Sequence, residues 1–144
     1  MGLKIIDHNS NDYKQMVAMR YAILRKPLGL QFSEEELARE KEDILIGCFD
    51  DSKLEGCCLL TKTDEKTTLR LRQMAVLSGL QGKGIGRVLM NFAENIARDK
   101  GYHKITMHAR KNAMGFYKKL GYQVMSDEFK EISIPHYIME KSLV

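Results

Sequence analysis

Prolines, linkers and long apolar runs are scarce in this sequence of 144 residues. Only two prolines occur, and no internal repeat, low-complexity tract or Ser-rich linker separates one part of the chain from another. We therefore expect residues 1–144 to form a single domain, since the length is ordinary for one. No apolar run is long enough to span a bilayer, and the N-terminus lacks the apolar core of a signal peptide, so neither a membrane protein nor a secreted one is expected.

Cysteine pairs with a recognisable spacing are also missing. The three cysteines are Cys48, Cys57 and Cys58, and they form neither a CxxC motif nor the spacing of a zinc site. Side chains that follow each other on a strand point to opposite faces, so Cys57 and Cys58 should not pair with each other. The simplest interpretation is that the thiols are reduced and buried, which predicts a cytoplasmic protein without a metal.

Charge of one sign is not in strong excess. Lys and Arg number 23 against 19 Asp and Glu, which gives a net charge of +4. This excess and the lack of interleaved basic and aromatic residues argue against nucleic acid as a partner. The positive charge would suit a small anionic ligand if it is focused in a cleft.

The apolar periodicity predicts strands mixed with helices. Three strands joined by short polar turns over residues 44–76 are typical of an antiparallel meander. Asn9, Ser10 or Asn11 can cap the first helix, and Ser33 with Glu36 forms a predicted capping box at the second. The fold class expected is α/β (α+β), with a mixed, mostly antiparallel sheet of six to seven strands and helices on both faces. The predicted strands are 3–6, 44–49, 54–61, 67–76, 104–108, 121–125 and 137–141, and the later helices are about 84–100 and 113–120.

A glycine-rich stretch, Gln81-Gly82-Lys83-Gly84-Ile85-Gly86-Arg87, joins the strand that ends at Val76 to the long helix. The first amides of a helix have no intrahelical partner, and the helix dipole makes that end positive. Glycines allow the backbone to approach a diphosphate closely, and Lys83 and Arg87 add positive charge. The Walker pattern is absent, and the GxGxG spacing after a meander does not match the dinucleotide fingerprint.

The same stretch resembles motif A of the GCN5-related N-acetyltransferase (GNAT) family, Gln/Arg-x-x-Gly-x-Gly/Ala, through Gln81, Gly84 and Gly86. Downstream, the segment from Ala113 to Tyr122 resembles the family's motif B, Ala-x-x-Phe-Tyr-x-x-x-Gly-Phe/Tyr. The C-terminal Ile-Pro-His stretch at residues 134–136 resembles a bacterial subgroup of the family. The order of strands and helices before motif A agrees with the same fold.

The resemblance implies a V-shaped split between the strand that ends at Val76 and the strand that ends at His108, with acetyl-CoA held there. It implies that Tyr117 is the general acid for the departing sulfur, and it places Arg110 where the family often has an Asn that contacts pantetheine. The residues that it assigns to acetyl-CoA are Met74, Ala75, Val76, Gln81, Gly82, Lys83, Gly84, Ile85, Gly86, Arg87, Arg110, Phe116 and Tyr117.

The sequence departs from the family at the general base. Many members carry a Glu on the strand before motif A, whereas this strand has Arg72 and Gln73. The base is then a water, is not needed, or is another side chain, for which His108 and His136 are the candidates because imidazole titrates near neutrality. Glu128 and Glu131 are acids on the same C-terminal loop.

The acceptor is predicted from charge. Arg70 and Arg72 share one face of their strand and Arg110 follows the neighbouring strand, so together they could bind an anionic group on the acceptor. The candidate substrate residues are Arg72, from this group, and Glu128, from the C-terminal loop.

The resemblance implies an enzyme that moves an acetyl group from acetyl-CoA to a primary amine by direct attack in a ternary complex. The acceptor is a small-molecule amine or an amine on a peptide or protein, and homodimers occur in this family. The alternative is a non-catalytic domain that binds or senses acyl-CoA, which the missing strand Glu favours and the retained Tyr117 disfavours.

Overall fold

The computed structural model describes residues 2–144, which form eight strands and four α-helices. The helices are α1 Asn11–Arg20, α2 Glu34–Arg39, α3 Ile85–Asp99 and α4 Met114–Lys119. The strands are β1 Gly2–Ile5, β2 Ile44–Asp50, β3 Lys53–Lys62, β4 Thr68–Val76, β5 Lys104–Arg110, β6 Gln123–Val124, β7 Phe129–Glu131 and β8 Ile134–Ser142. Within residues 2–144, no helix combines the length and the apolar character that crossing a bilayer requires.

The eight strands belong to one sheet with the order β1-β2-β3-β4-β5-β8-β6, and β7 pairs with β8. β4 and β5 run parallel, whereas β1 with β2, β2 with β3, and β8 with β5, β6 and β7 are antiparallel. The predicted mixed, mostly antiparallel sheet is confirmed. It has one strand more than the six to seven predicted, because the three-residue strand β7 has no pattern of its own in the sequence.

The chain divides into two compact units, of which the first comprises Met1–Thr61 and Gln73–Ala93. The predicted caps are present here, since Ser10 Oγ accepts from the amide of Tyr13 at 3.2 Å and Ser33 Oγ accepts from the amide of Glu36 at 3.1 Å. The Glu36 carboxylate accepts a bond from Arg25 at 2.7 Å. The capping box was predicted to be reciprocal, but the side chain of Glu36 bonds to Arg25 instead.

An apolar cluster lies in the interior of this first unit. Helix α3 approaches β3 so closely at Gly56 that a Cβ there would lie 2.8 Å from Ile85 Cγ2 and 3.0 Å from Leu89 Cδ1, which only glycine avoids. All three cysteines are fully buried and unpaired, as predicted. The cluster consists of Ile6, Tyr13, Met16, Met19, Leu45, Phe49, Leu54, Cys57, Leu59 and Ala75.

The second unit comprises Lys62–Arg72 and Glu94–Val144, and β5 lies at its centre. The parallel register of β4 with β5 runs from Thr68↔Lys104 to Leu71↔Met107. On its other side, β5 pairs with β8 over seven residues, from Lys104↔Ser142 to Arg110↔His136. β7 and β8 form a hairpin whose two-residue turn is Ile132-Ser133. Because β8 pairs with both β5 and β7, side chains from the C-terminal loop lie at the end of β5.

Candidate functional site

The glycine turn (residues 81–87) lies at the start of helix α3, as predicted. Gly82 and Gly84 have φ of 81° and 89°, and a Cβ added to either would meet no atom within 4 Å. The glycines are thus required by backbone conformation, and the space in front of them is open. The first intrahelical bond runs from the Val88 amide to the Gly84 carbonyl at 3.1 Å, so the amides of residues 85–87 precede it.

The side chains around this turn divide into exposed and buried ones. Lys83 and Arg87 are exposed, and the Gln81 side chain donates to the Val76 carbonyl at 3.3 Å, which ties the turn to the end of β4. Ala75 and Ile85, both predicted to contact acetyl-CoA, are only 3% and 4% exposed. Both residues are therefore packed in the interior, and their contact with acetyl-CoA stays a prediction.

Strand β4 contains an irregularity that the sequence does not reveal. Gln73 has φ of 58°, which is rare for a side-chain-bearing residue within a strand, and its Oε1 is buried without a hydrogen-bond partner within residues 2–144. Strained backbone of this kind often lies at functional sites. This irregularity lies in the stretch of Arg72 and Gln73, which has no acid where the resemblance implies a Glu on the strand, and it directly precedes Met74.

Tyr117 lies on helix α4 and is 6% exposed. Its ring meets Phe116 edge-on at a centroid distance of 5.0 Å and Tyr122 at 5.9 Å. Phe116 is the exposed member of the three, at 37%. The second motif thus folds as the predicted helix, with one aromatic side chain buried and its neighbour on the surface.

A buried carboxylate, Glu94, anchors the residues that directly follow helix α4, and the sequence did not reveal it. Glu94 is 4% exposed and accepts bonds from Tyr122 Oη and Lys141 Nζ, both at 2.9 Å. Lys141 also donates to the Leu120 carbonyl at 2.7 Å. Because Tyr122 packs against Tyr117, this network positions the Tyr117 ring. Its only sequence signal is a Glu within the apolar pattern of α3.

Four side chains from four strands meet at the end of β5, and we call them the histidine cluster: Arg70, His108, Glu131 and His136. His108 Nδ1 lies 2.9 Å from Glu131 Oε1 and 3.1 Å from Arg70 Nη2. His136 Nε2 lies 3.7 Å from Glu131 Oε2, and His136 Nδ1 lies 2.7 Å from the Ile134 carbonyl. The Phe129 ring packs edge-on against His108 and stacks on His136.

The electrostatics of the histidine cluster favour an ionised Glu131. Burial opposes its charge, but the hydrogen bond to His108 and the charges of His108, His136 and Arg70 outweigh it and lower the pKa of the carboxyl. Burial lowers the pKa of Arg70, and the nearby Arg72 adds to this effect. Sequence reasoning named both histidines but not their joint contact with Glu131.

The two candidate bases differ in access. The His108 side chain is 28% exposed, so it can meet a ligand, whereas the His136 side chain is 4% exposed. The contacts of His136 with Glu131 and Phe129 on β7 favour a role in holding the β7–β8 hairpin.

The candidate substrate residues, Arg72 and Glu128, interact with different side chains. Arg72 lies close enough to Arg70 for their charges to interact, so part of the predicted convergence of arginines is present. Arg110 stands at the end of β5 opposite His136. Glu128 is exposed and binds Lys111 Nζ at 2.8 Å, and this hydrogen bond lowers the pKa of its carboxyl.

Comparison with known proteins gives one family. The model of the "Acetyltransferase (GNAT) domain" matches residues 13–143. The uncharacterized N-acetyltransferase YjcF of Bacillus subtilis (strain 168) is 31% identical over 140 residues, which are 95% of this chain and 97% of that protein. The uncharacterized protein YyaT of the same organism is 37% identical over 76 residues, which are 53% of this chain and 51% of YyaT. The matches thus span about half the length of two of the curated relatives.

A solved structure has the same fold. The crystal structure of an aminoglycoside 6'-N-acetyltransferase complexed with coenzyme A superposes with a TM-score of 0.84, over 100% of this chain and 98% of that one. At 16% identity, this likeness concerns the fold alone. Since the family's domain matches residues 13–143 and YjcF matches almost the whole chain, the protein belongs to the GNAT acetyltransferase family, as its two motifs predict.

Proposed function

We propose that residues 1–144 act as one N-acetyltransferase domain that moves an acetyl group from acetyl-CoA to a primary amine. The observation that carries the proposal is the open glycine turn at the start of α3, in a chain that belongs to the GNAT family. The fold shared with an acetyltransferase complexed with coenzyme A supports it.

The glycine turn fits a diphosphate. Its left-handed glycines leave the backbone uncovered, the amides of residues 85–87 precede the first helical bond, and Lys83 and Arg87 are exposed cations. Met74 and Val76 offer backbone groups to the pantetheine arm in the manner of an added strand. Acetyl-CoA supplies the acetyl group as an activated thioester.

Tyr117 and His108 take the two proton-transfer roles in this proposal. The Tyr117 phenol donates a proton toward the departing sulfur, and the neighbouring Glu94–Tyr122–Lys141 network holds its ring. His108 accepts a proton from the acceptor, because it is the accessible histidine of the cluster. His136 supports the hairpin, and Arg72 and Glu128 serve the acceptor amine or an anionic group beside it.

The acceptor is a primary amine on a small molecule, a peptide or a protein. Three of the structural neighbours are named aminoglycoside 6'-acetyltransferases, which makes aminoglycosides a reasonable first group in an acceptor screen. The fully buried, unpaired cysteines support a cytoplasmic location, where thiols stay reduced.

Calorimetry with acetyl-CoA, followed by a screen of amines with release of free thiol as the readout, tests the proposal. We expect acetyl-CoA to bind and to raise the melting temperature, since a ligand that binds only the folded state stabilises it. At least one amine should then be acetylated, and Tyr117→Phe should lower kcat by about 10²-fold or more while binding is retained.

Two outcomes would count against it. Binding of acetyl-CoA without turnover of any amine would favour the non-catalytic binding or sensing domain. Absence of binding to acetyl-CoA, coenzyme A and longer acyl-CoA species would reject both functions.

A further inference from the structure

Two groups of opposite charge compete for one nitrogen of His108. Glu131 Oε1 lies 2.9 Å from Nδ1, and Arg70 Nη2 lies 3.1 Å from the same atom. A neutral imidazole carries one proton on one of its two nitrogens. If Nδ1 carries it, Nδ1 donates to Glu131 and Nε2 is a free acceptor; if Nδ1 is bare, it accepts from Arg70 and Nε2 becomes the donor.

The two tautomers have different chemical consequences. Only the form with the proton on Nδ1 leaves a lone pair on Nε2, which is what a general base needs. Both alternatives are charge-assisted hydrogen bonds, one with the Glu131 carboxylate as acceptor and one with the Arg70 guanidinium as donor, and the Glu131 contact is the shorter of the two. The edge-on packing of Phe129, at a centroid distance of 5.4 Å, restrains the ring plane.

We propose that Glu131 is a positioning residue that holds His108 in the tautomer protonated at Nδ1, so that Nε2 takes the proton of the acceptor's ammonium group. This rests on the proposed acetyl transfer for the role of Nε2, but not for the tautomer itself. Glu131 reaches His108 because the β7–β8 hairpin brings it onto the end of β5.

The proton balance is simple. His108 Nε2 takes one proton from the ammonium group, and the nitrogen keeps the electron pair with which it forms the amide bond as the carbon–sulfur bond breaks. The second nitrogen proton goes to the sulfur by way of Tyr117, and the imidazolium returns its own proton to water. Throughout, Nδ1–H stays bonded to Glu131, so the ring does not need to turn.

The charged groups that face His108 come from three strands: Arg70 from β4, Glu131 from β7 and, behind Glu131, His136 from β8. Removal of Glu131 would leave Arg70 as the charged partner of Nδ1. Nδ1 would then accept from Arg70, and Nε2 would carry the proton.

The first test needs no substrate. Long-range ¹H–¹⁵N correlation spectra of the free protein, recorded above the titration range of histidine, identify the tautomer of His108, with His108→Asn to assign its signals. We expect Nδ1–H in the wild type, a shift toward Nε2–H in Glu131→Ala, and no change in Asp127→Asn, which alters an exposed carboxylate on the same loop. Nε2–H in the wild type, or an unchanged tautomer in Glu131→Ala, would overturn the proposal.

The second test is kinetic. Glu131→Ala should lower kcat by about 10–100-fold, the range known for loss of the hydrogen-bond partner of a metal-binding histidine, with KM for acetyl-CoA unchanged. A His108→Asn variant with wild-type kcat would remove His108 as the base. If no amine is acetylated by the wild type, the proposed function fails, whereas the tautomer measurement still decides the role of Glu131.

Discussion

Arg20 and Glu40 form a two-bonded ion pair inside the first unit. Nη1 donates to Oε1 at 2.8 Å and Nη2 donates to Oε2 at 2.6 Å, while the exposed fractions of the two side chains are 0% and 3%. Tyr13 Oη adds a third bond to the same carboxylate at 2.7 Å. Burial and the bond to Glu40 raise the pKa of the Tyr13 phenol, so it remains a donor.

Removing one partner of this pair should be strongly destabilising. Glu40→Ala leaves the Arg20 charge buried and unpaired, and we expect the free energy of unfolding to fall by about 3–5 kcal/mol in denaturant titrations. The control is Glu36→Ala, which breaks the Arg25–Glu36 pair, whose side chains are 18% and 20% exposed. That variant should lose about 1 kcal/mol. Equal losses in the two variants would contradict the argument.

Substitutions in the turn of the β7–β8 hairpin should raise the stability of the protein. Ile132 and Ser133 have φ of 49° and 64°, and such a pair of left-handed residues suits Asn-Gly, whereas a β-branched residue is strained there. The double change Ile132→Asn with Ser133→Gly should raise stability by about 1–2 kcal/mol. Differential scanning calorimetry measures the rise. Asp51→Gly, at φ of 53°, is the comparison and should gain less, because Asp tolerates this conformation.

Alanine substitutions at Gly79 and Gly84 can separate the effect of backbone strain on stability from a direct effect on ligand binding. Gly79 and Gly84 both have φ of 89° with open space around them, but only Gly84 belongs to the glycine turn. Alanine at either position should cost about 1–2 kcal/mol of stability. Gly84→Ala should also weaken acetyl-CoA binding by about tenfold in calorimetry, whereas Gly79→Ala should bind normally. Equal weakening in both variants would argue against a direct role for Gly84.

The native thiols should be inert. Burial raises the pKa of Cys57 to about 12 and raises that of Cys58 and Cys48 as well. At pH 8 roughly one Cys57 side chain in 10⁴ would be the reactive thiolate, and the fraction grows only as the pH rises toward that pKa. Ellman's reagent should therefore detect almost no thiol in the folded protein and three after denaturation. An added surface thiol in Ser52→Cys should react at once, and fast reaction of the wild type would contradict the burial.

The sequence predicts most of the fold because its local signals are strong. The predicted strand 67–76 becomes β4 Thr68–Val76, and the predicted helix 84–100 becomes α3 Ile85–Asp99. In each case alternation, a cap or a glycine marks the boundaries. β7 was missed because three residues are too few to show a period, and its partner strand β8 accordingly begins three residues earlier than predicted.

Only those parts of the candidate site that are continuous segments of the chain could be predicted from the sequence. The glycine turn and helix α4 are continuous segments, so motifs identify them. The contact of Glu131 with His108 joins residues 23 positions apart through the register of three strands. The burial of Arg20, Glu40 and Glu94 contradicts the usual exposure of charged residues, and only tertiary structure identifies their partners.

Strand β8 has a consequence for how the protein is made. β5, β6 and β7 all pair with it, and all three precede it in the chain. During translation, the edge of β5 that will meet β8 stays open until residues 134–142 leave the ribosome. Open edges of this kind invite pairing with other nascent chains, so the second unit stays exposed to this hazard until β8 has formed.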